Sequence, residues 1–353
     1  MNTEYYRSLH IAGGELEDTP QDSRDYFFGA PYENPKDTSF DFDVSWLPSK
    51  VDLRESTGYI ENQEHTNSCV GNAIASAAEC MLESKNRFVN LSRMFIYYNA
   101  REPIAKLFSK PIEDVGSNIR FAIGETTKLG IATEDIWPFV VSRVNEKPTA
   151  EAYTDGALRK TKRYESLGQS EPAAKPQRFI REAKVALAAG YPIIFGMGIT
   201  SNFYGINSDD PNQYNDFAQR GSLEWAGGHA LAIVGYDDEK ECFLIENSWG
   251  TGWGKDGYCQ LKYNVVTRNM GPYGAFVLRE FDGVRYDIPE NWYIRKPVPV
   301  PAPTPAPAPA PKPAPAPAPA PEPAPEPKKE NKTPLYIVAG LVIAFIIWQL
   351  TKQ

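Results

Sequence analysis

The sequence predicts an α+β fold, because helix-like and strand-like apolar patterns occupy different halves of its globular region. An Ala-rich run with helical apolar spacing extends from Cys69 to about Glu83. Residues 91–101, 117–129 and 178–189 are predicted as further helices. From residue 193 onward, short apolar runs separated by Gly-containing turns predict strands: IIFGMGI, HALAIVGYD, CFLIENSW, GYCQLKY and AFVLREF. A helical half followed by an antiparallel sheet predicts a cleft between the two halves.

Composition divides the 353 residues into successive regions. Residues 1–46 are polar and are predicted to form an N-terminal arm or a short pro-segment, and residues 47–292 have the composition of a globular domain. Residues 293–333 are predicted as a Pro-Ala-rich stalk, because proline removes amide donors and favours a semi-rigid, polyproline-like rod. Residues 334–350 are predicted as a transmembrane helix and residues 351–353 as a short tail.

The predicted membrane segment contains no charged residue between Leu335 and Leu350. It is somewhat shorter than the roughly 20 apolar residues that usually cross a bilayer. Tyr336 and Trp348 lie near its ends, where aromatic residues anchor membrane helices at the interface. A buried core helix is the alternative, although the long Pro-Ala stretch separates this segment from any core. The chain is therefore expected to be a single-pass membrane protein with a C-terminal anchor.

Three lysines precede the apolar segment and one follows it, so the positive-inside rule places the large N-terminal part on the cytoplasmic side. A secretory signal has a basic start followed by an apolar core, and the N-terminus of this chain does not show that pattern. The net charge of −8 argues against a nucleic-acid partner. The oligomeric state is left open.

The four cysteines, Cys69, Cys80, Cys242 and Cys259, are too few for a disulfide scaffold in a chain of this length. Cys242 and Cys259 could face each other across a hairpin, although buried, reduced thiols are favoured. The dispersed cysteines and histidines show no metal-ligand spacing. We therefore expect neither a metal nor a cofactor.

Cys69 has the sequence setting of a nucleophile. It begins a predicted helix, and the partial positive charge of a helix N-terminus lowers the pKa of a nearby thiol. Cys80 lies inside the same helix and is more consistent with packing. Of the three histidines, His10 lies in the polar arm and His65 lies four residues before Cys69. His229 is the favoured base, because it begins a predicted strand that would hold the ring on a rigid element.

Asn247 ends the next predicted strand, so adjacent strands can bring it to His229. An Asn oxygen that accepts from one ring nitrogen fixes the tautomer and leaves the other nitrogen to face the sulfur. The alternative is that Asn247 only starts the turn NSWGTGWG. If Asn247 does orient His229, Trp249 in the same turn is placed to shield the His–Asn hydrogen bond from water. Gln63 could bind an oxyanion together with the backbone N–H of Cys69.

These segments, taken in order, resemble the papain/cathepsin family of cysteine peptidases. The resemblance is carried by Gln63 and Cys69, by the run Gly227-Gly228-His229-Ala230, and by Asn247-Ser248-Trp249-Gly250 followed by a second Trp-Gly. Residues 47–54 resemble the start of the mature family domain, and Gly116-Ser117 resembles a wall of the substrate groove. The similarity covers about residues 47–285. It implies a papain-like fold of two subdomains, with the active-site cleft between a helical half and an antiparallel β half.

The resemblance also implies an endopeptidase that hydrolyses polypeptides through a thioester acyl-enzyme. It assigns catalytic roles and substrate contacts to two sets of residues: Cys69, His229, Asn247 and Gln63 for catalysis, and Gly116, Ser117, Gly228 and Trp249 for substrate binding. Two alternatives remain open, a catalytically silent binding or structural module and a transpeptidase or amidase that uses the same thiol.

The sequence departs from the family pattern in three places. Thr66-Asn67-Ser68-Cys69-Val70 replaces the usual Cys-Gly-Ser-Cys-Trp, and Asp114 stands where the partner cysteine is expected, so a common disulfide is missing. Residues 1–46 lack the long charged helix of many family pro-segments, which leaves an inhibitory role for them open. An insertion-like stretch at residues 201–224 is expected to cap the cleft.

Overall fold

The structure is a computed structural model that describes residues 25–31 and 33–295. Six α-helices lie in this part of the chain: α1 (Cys69–Glu83), α2 (Arg93–Leu107), α3 (Ile119–Leu129), α4 (Ala150–Gly156), α5 (Pro176–Ala188) and α6 (Tyr263–Asn269). The same part contains nine strands: β1 (Phe40–Phe42), β2 (Lys50–Asp52), β3 (Thr161–Ser166), β4 (Ile193–Thr200), β5 (Trp225–Asp237), β6 (Cys242–Glu246), β7 (Tyr258–Lys262), β8 (Ala275–Phe281) and β9 (Tyr293–Arg295). Helices in the first half and a mainly antiparallel sheet in the second confirm the α+β prediction.

Helix α1 is buried on nearly all sides and packs against α2 and β5. Its small residues make this central position possible, because alanine adds little width to a helix. Gly71 allows the closest approach, since a Cβ at this position would lie 2.6 Å from the backbone oxygen of Arg93 at the start of α2. The Ala-rich run that predicted the helix thus also places its first residue, Cys69, against the sheet.

Side-chain caps set where two of the predicted helices begin. The side chains of Ser92 and Asn118 accept hydrogen bonds from the backbone N–H groups of Phe95 and Phe121, so α2 and α3 each begin two residues later than predicted. Helix α3 ends at Leu129, and Gly130 follows it with a φ of +78°, so close to α4 that no side chain fits there.

The main sheet has the strand order β3-β8-β4-β5-β6-β7, with β2 paired to β5, and every pairing is antiparallel. All five strands predicted after residue 193 are present. Strand β5 is longer than predicted and starts at Trp225, so His229 lies inside the strand, opposite Met197 of β4. At this position β5 is paired with β4, and β6 pairs with the other edge of the strand only from Ala232 onward, so the imidazole is carried by a strand held in the sheet.

The described part of the N-terminal region packs onto the domain. Phe40 and Phe42 are buried in β1, which pairs with β9, and the ring of Tyr293 lies 5.3 and 5.0 Å from theirs. Asp25 forms a buried ion pair with Arg120 at the start of α3. The folded region therefore extends to residue 295, three residues into the range that composition assigned to the stalk.

Among residues 25–31 and 33–295, no helix has the length and apolarity needed to span a bilayer. The predicted membrane helix at residues 334–350, the tail and the rest of the stalk lie outside the described residues, as does His10. The predicted anchor and its orientation therefore stay predictions.

Candidate active site

The nucleophile candidate and the base candidate come from segments 160 residues apart and meet where α1 packs on β5. Cys69 is the first residue of α1, and its sulfur faces the backbone N–H groups of Ala230 and Val70, which favour its thiolate. Ala230 directly follows His229 in β5. The structure thus brings the sulfur of Cys69 to the strand that carries the imidazole, as the sequence predicts.

His229 and Asn247 form the predicted pair. The Nε2 atom of His229 lies 2.8 Å from Oδ1 of Asn247, and both side chains are buried. The backbone N–H of Ser248 also donates to this Oδ1, at 2.8 Å, which identifies the atom as the amide oxygen. Because that oxygen can only accept, Nε2 carries the proton, and Nδ1 is the basic nitrogen of the neutral ring. Asn247 therefore fixes the tautomer in addition to starting the turn.

Gln63 lies at the same junction and is buried. Its Oε1 accepts a 2.7 Å hydrogen bond from Oγ of Ser248, and its Nε2 donates a 2.8 Å hydrogen bond to the backbone oxygen of Thr66. These two bonds fix which end of the amide is the donor. The side-chain NH2 group of Gln63 is thereby held against the loop that leads to Cys69.

A short backbone ladder ties the Gln63 segment to the turn after Asn247. The backbone N–H of Gln63 donates to the oxygen of Ser248 at 2.8 Å, and that of Gly250 donates to the oxygen of Glu61 at 2.9 Å. Arg93 supports the ladder through a 2.9 Å ion pair with Glu61. The sequence analysis missed Arg93, because its part in the site depends on a contact between segments far apart in sequence.

An aromatic cluster encloses the His–Asn pair. Trp249 stacks on the imidazole of His229, with ring centroids 4.8 Å apart and an angle of 25°, and Tyr204 stacks on Trp249 at 5.2 Å. Phe203 packs edge-on against Trp249 and accepts, through its backbone oxygen, a hydrogen bond from Nε1 of Trp253. Trp249 is thus placed to shield the His–Asn bond from water, the first role that the sequence suggested for it.

Phe203 and Tyr204 come from the stretch at residues 201–224 that was expected to cap the cleft. Both are buried, and their contacts lie against the tryptophans behind the imidazole. The sequence analysis gave neither residue a role in the site. Two adjacent aromatic residues in this stretch were the available signal.

The structure locates the four predicted substrate-binding residues but does not test their role. Gly116 and Ser117 are buried just before the cap of α3, and Gly228 lies in β5 beside His229. Trp249 is only 1% exposed, and its ring packs against those of His229, Phe203 and Tyr204. The substrate-binding roles of these four residues stay predictions.

Two competing residues differ from the favoured ones in their surroundings. His65 is exposed in the loop before α1, whereas His229 is fully buried beside the nucleophile candidate. Cys80 is buried in α1, as expected of a packing residue, and all four cysteines are free thiols. Cys242 and Cys259 are not opposite each other in the β6–β7 hairpin, since Cys259 faces Ile245.

Residues 47–273 match the family model described as papain family cysteine protease. The chain belongs to this family. It is 34% identical over 203 residues to an uncharacterised peptidase C1-like protein of Acanthamoeba polyphaga mimivirus, a match that covers 56% of this chain and 62% of the viral protein. It is 25% identical over 244 residues to a KDEL-tailed cysteine endopeptidase of Arabidopsis thaliana, covering 67% of this chain and 60% of the plant protein. The chain thus spans about 60% of the length of each of these curated relatives.

Solved structures have the same fold. Xylellain, a cysteine protease from Xylella fastidiosa, superposes with a TM-score of 0.58 at 27% identity, covering 75% of this chain and 95% of xylellain. Digestive procathepsin L 3 of Tenebrio molitor superposes with a TM-score of 0.52 at 18% identity, covering 78% of each chain. The papain-like fold predicted by the sequence is confirmed.

The enclosed position of this papain-family cysteine has an electrostatic consequence. Burial raises the pKa of the Cys69 thiol to about 11, while hydrogen bonds from the N–H groups of Ala230 and Val70 act in the opposite direction. The carboxylate of Asp114 raises the pKa further. The sequence-based expectation of a lowered pKa is therefore wrong for this state, because loss of hydration outweighs the helix terminus. A thiolate here requires proton transfer to a neighbouring base.

Proposed function

We propose that the protein is a cysteine-type endopeptidase that cleaves polypeptides through a thioester intermediate. One observation carries the proposal: the Cys69 sulfur faces the backbone N–H of Ala230, the residue after His229, and Nε2 of His229 is held by Asn247. This arrangement joins a thiol to a base of fixed tautomer, which is the requirement for nucleophilic catalysis by cysteine.

In the proposed reaction, Nδ1 of His229 takes the thiol proton and the Cys69 sulfur attacks the peptide carbonyl carbon. The carbonyl oxygen becomes an oxyanion, which the backbone N–H of Cys69 and the second amide hydrogen of Gln63 stabilise. The protonated imidazole then donates its Nδ1 proton to the departing amine as the C–N bond breaks. Water, deprotonated by the same nitrogen, attacks the thioester and releases the acid product with the thiol restored.

Relatives support this choice of reaction. Xylellain is a cysteine protease, and the Arabidopsis relative is a cysteine endopeptidase. All four residues that the family pattern requires are present in this chain, and the structure buries them at one junction. A catalytically silent module would have no need for a fixed histidine tautomer.

The test compares two cysteine variants of the full chain on a peptide library. Cys69→Ser should lower the rate of cleavage by at least about 10³-fold, because the hydroxyl is a far weaker nucleophile than the thiolate. Cys80→Ala, which removes the other thiol of α1, should retain most of the activity. An epoxide that traps thiols should label Cys69. Equal activity of wild type and Cys69→Ser would contradict the proposal, and amide products in place of acids would favour the transpeptidase.

We further propose that residues 334–350 tether this peptidase to a membrane, with the folded part on the cytoplasmic side. The support comes from the uncharged apolar segment and from the lysines that precede it. Residues 297–327, in which Pro and Ala almost strictly alternate, would act as a spacer between the bilayer and the domain, with a reach of up to roughly 95 Å at about 3.1 Å per residue.

Membrane fractionation of the full chain tests the tether. Wild type should remain with the membrane pellet after alkaline extraction, and Ile343→Lys combined with Ile347→Lys should release it, because charges inside the segment oppose insertion. Ala314→Lys combined with Ala318→Lys adds the same charge within the Pro-Ala stretch and should leave the chain in the pellet. A wild-type chain found in the soluble fraction would refute the tether without affecting the proposed chemistry.

A further inference from the structure

Asp114 connects three segments around the nucleophile. Its Oδ1 accepts hydrogen bonds from the backbone N–H of Asn67 at 2.9 Å and from the hydroxyl of Tyr97 at 2.5 Å. The side-chain amide of Asn67 donates in return to the backbone oxygen of Asp114 at 2.7 Å. The Tyr97 oxygen accepts a 3.0 Å hydrogen bond from the backbone N–H of Gly116. The loop that precedes Cys69 is thus joined, through two side chains, to Gly116.

Tyr97 is held firmly in this network. It is fully buried in α2, and the guanidinium of Arg101 lies 3.6 Å from the centroid of its ring. Arg101 also donates to the backbone oxygens of Tyr97 and Glu113, at 3.0 and 2.6 Å. The segment at residues 113–116 is therefore fixed to α2 at both ends. Burial and the negative charge of Asp114 raise the pKa of Tyr97 above its usual value, so its hydroxyl stays a donor.

We propose that Asp114 and Tyr97 are positioning residues. They set the position of the backbone at residues 113–116, called here the Gly116 edge, relative to the Cys69 sulfur. In this role they replace the missing disulfide with hydrogen bonds. The inference rests on the proposed peptidase function, in which the backbone at Gly116 and Ser117 contacts the substrate. A hydrogen-bonded link of this kind keeps its geometry in a reducing compartment, where a disulfide would not persist.

The hydrogen-bonded link through Asp114 also affects the pKa of the Cys69 thiol, and this effect can be measured separately from substrate binding. The carboxylate of Asp114 raises the pKa of the Cys69 thiol and so opposes formation of the thiolate. The Cys69 thiol must become anionic to react, so a carboxylate that opposes this charge is useful only if its hydrogen bonds fix the geometry of the site. Removing the charge and removing the hydrogen bonds should therefore have different effects.

The first test removes one hydroxyl. Tyr97→Phe leaves the Gly116 N–H without its partner, and KM for peptides should rise about tenfold while kcat changes by less than about threefold. Alkylation of Cys69 by iodoacetamide, which is too small to use the Gly116 edge, should keep its wild-type rate. Tyr98→Phe removes the adjacent hydroxyl, which has no described contact with this loop, and should leave KM unchanged.

The second test separates charge from hydrogen bonding at Asp114. Asp114→Leu removes both acceptor bonds and should raise KM as Tyr97→Phe does. Asp114→Asn keeps an oxygen that can accept from Asn67 and Tyr97, so KM should stay within about threefold of wild type. Its alkylation profile should move to lower pH, since the negative charge that opposes the Cys69 thiolate is gone.

Binding measurements keep the inference independent of turnover. In a Cys69→Ala background, adding Tyr97→Phe should weaken binding of a substrate peptide by the same factor of about ten. Unchanged KM and affinity in Tyr97→Phe and Asp114→Leu would overturn the inference. A slowing of Cys69 alkylation by iodoacetamide as large as the effect on peptides would also overturn it, because it would indicate general disruption of the site. Peptide that binds as expected but is never cleaved would instead refute the proposed function.

Discussion

The two sides of the candidate site are held in different ways. On the cysteine side, Gln63, Asn67 and Asp114 are fixed by short hydrogen bonds to backbone and side-chain partners. On the histidine side, the imidazole and Asn247 share one hydrogen bond inside a cluster of aromatic rings. Hydrogen bonds are directional and set the positions of atoms, whereas aromatic packing mainly excludes water. Substitutions of the hydrogen-bonded residues on the first side should therefore act mainly on kinetics, and substitutions of the aromatic rings around the imidazole on the second side mainly on stability.

The largest effect on stability is expected at Trp249. Trp249→Ala should lower the free energy of unfolding by about 3–5 kcal/mol, because it removes a fully buried ring that packs on His229 and Tyr204. Denaturant unfolding measures this change. Trp46→Ala removes a tryptophan that is 64% exposed and should change stability by less than about 0.5 kcal/mol. Similar small losses in both variants would show that the aromatic cluster does not stabilise the histidine side.

On the cysteine side, Gln63→Ala should lower kcat by about 10²- to 10³-fold, because it removes a donor expected at the oxyanion. Its KM should change little, since the donor acts mainly in the transition state. Steady-state kinetics on a peptide substrate provides the measurement. Gln219→Ala changes an exposed glutamine and is the matched control. A normal kcat in Gln63→Ala would remove the amide from the proposed reaction.

A smaller effect is expected from Glu246, which directly precedes Asn247. Burial raises its pKa to about 7 from 4.5, so the folded state holds a proton that the unfolded state releases. The resulting stability is present below about pH 4.5 and is lost as pH rises through 7, with a total of about 3 kcal/mol at most. Glu246→Gln should flatten this part of the stability profile, whereas Glu239→Gln, at an exposed position, should not. A wild-type stability that increases from pH 5 to 8 in step with that of Glu246→Gln would contradict the assignment.

The sequence predicted the arrangement of the candidate site residues better than their surroundings. The pairing of His229 with Asn247 followed from their places on adjacent strands, and the Ala-rich helix at Cys69 followed from its apolar spacing. The helix could be predicted from its local apolar periodicity, and the His–Asn pair from the order of the motifs along the chain. Family membership then fixes the fold in which the motifs meet.

What the sequence did not predict depends on long-range packing. The pairing of β1 with β9 joins segments about 250 residues apart, and nothing local marks either as a strand. The contacts of Phe203 and Tyr204 with the tryptophans have the same origin. The raised pKa of Cys69 depends on burial of the sulfur, which cannot be read from its place at a helix N-terminus.

The rate of Cys69 alkylation by iodoacetamide across pH, in wild type and in His229→Ala, tests the central claim most directly. With the imidazole present, the sulfur should react near neutral pH, because its proton passes to Nδ1. Without it, reactivity should appear only as the pH approaches the buried thiol's pKa of about 11. Identical pH profiles for the two proteins would contradict the account, since Cys69 and His229 would then not act as a pair.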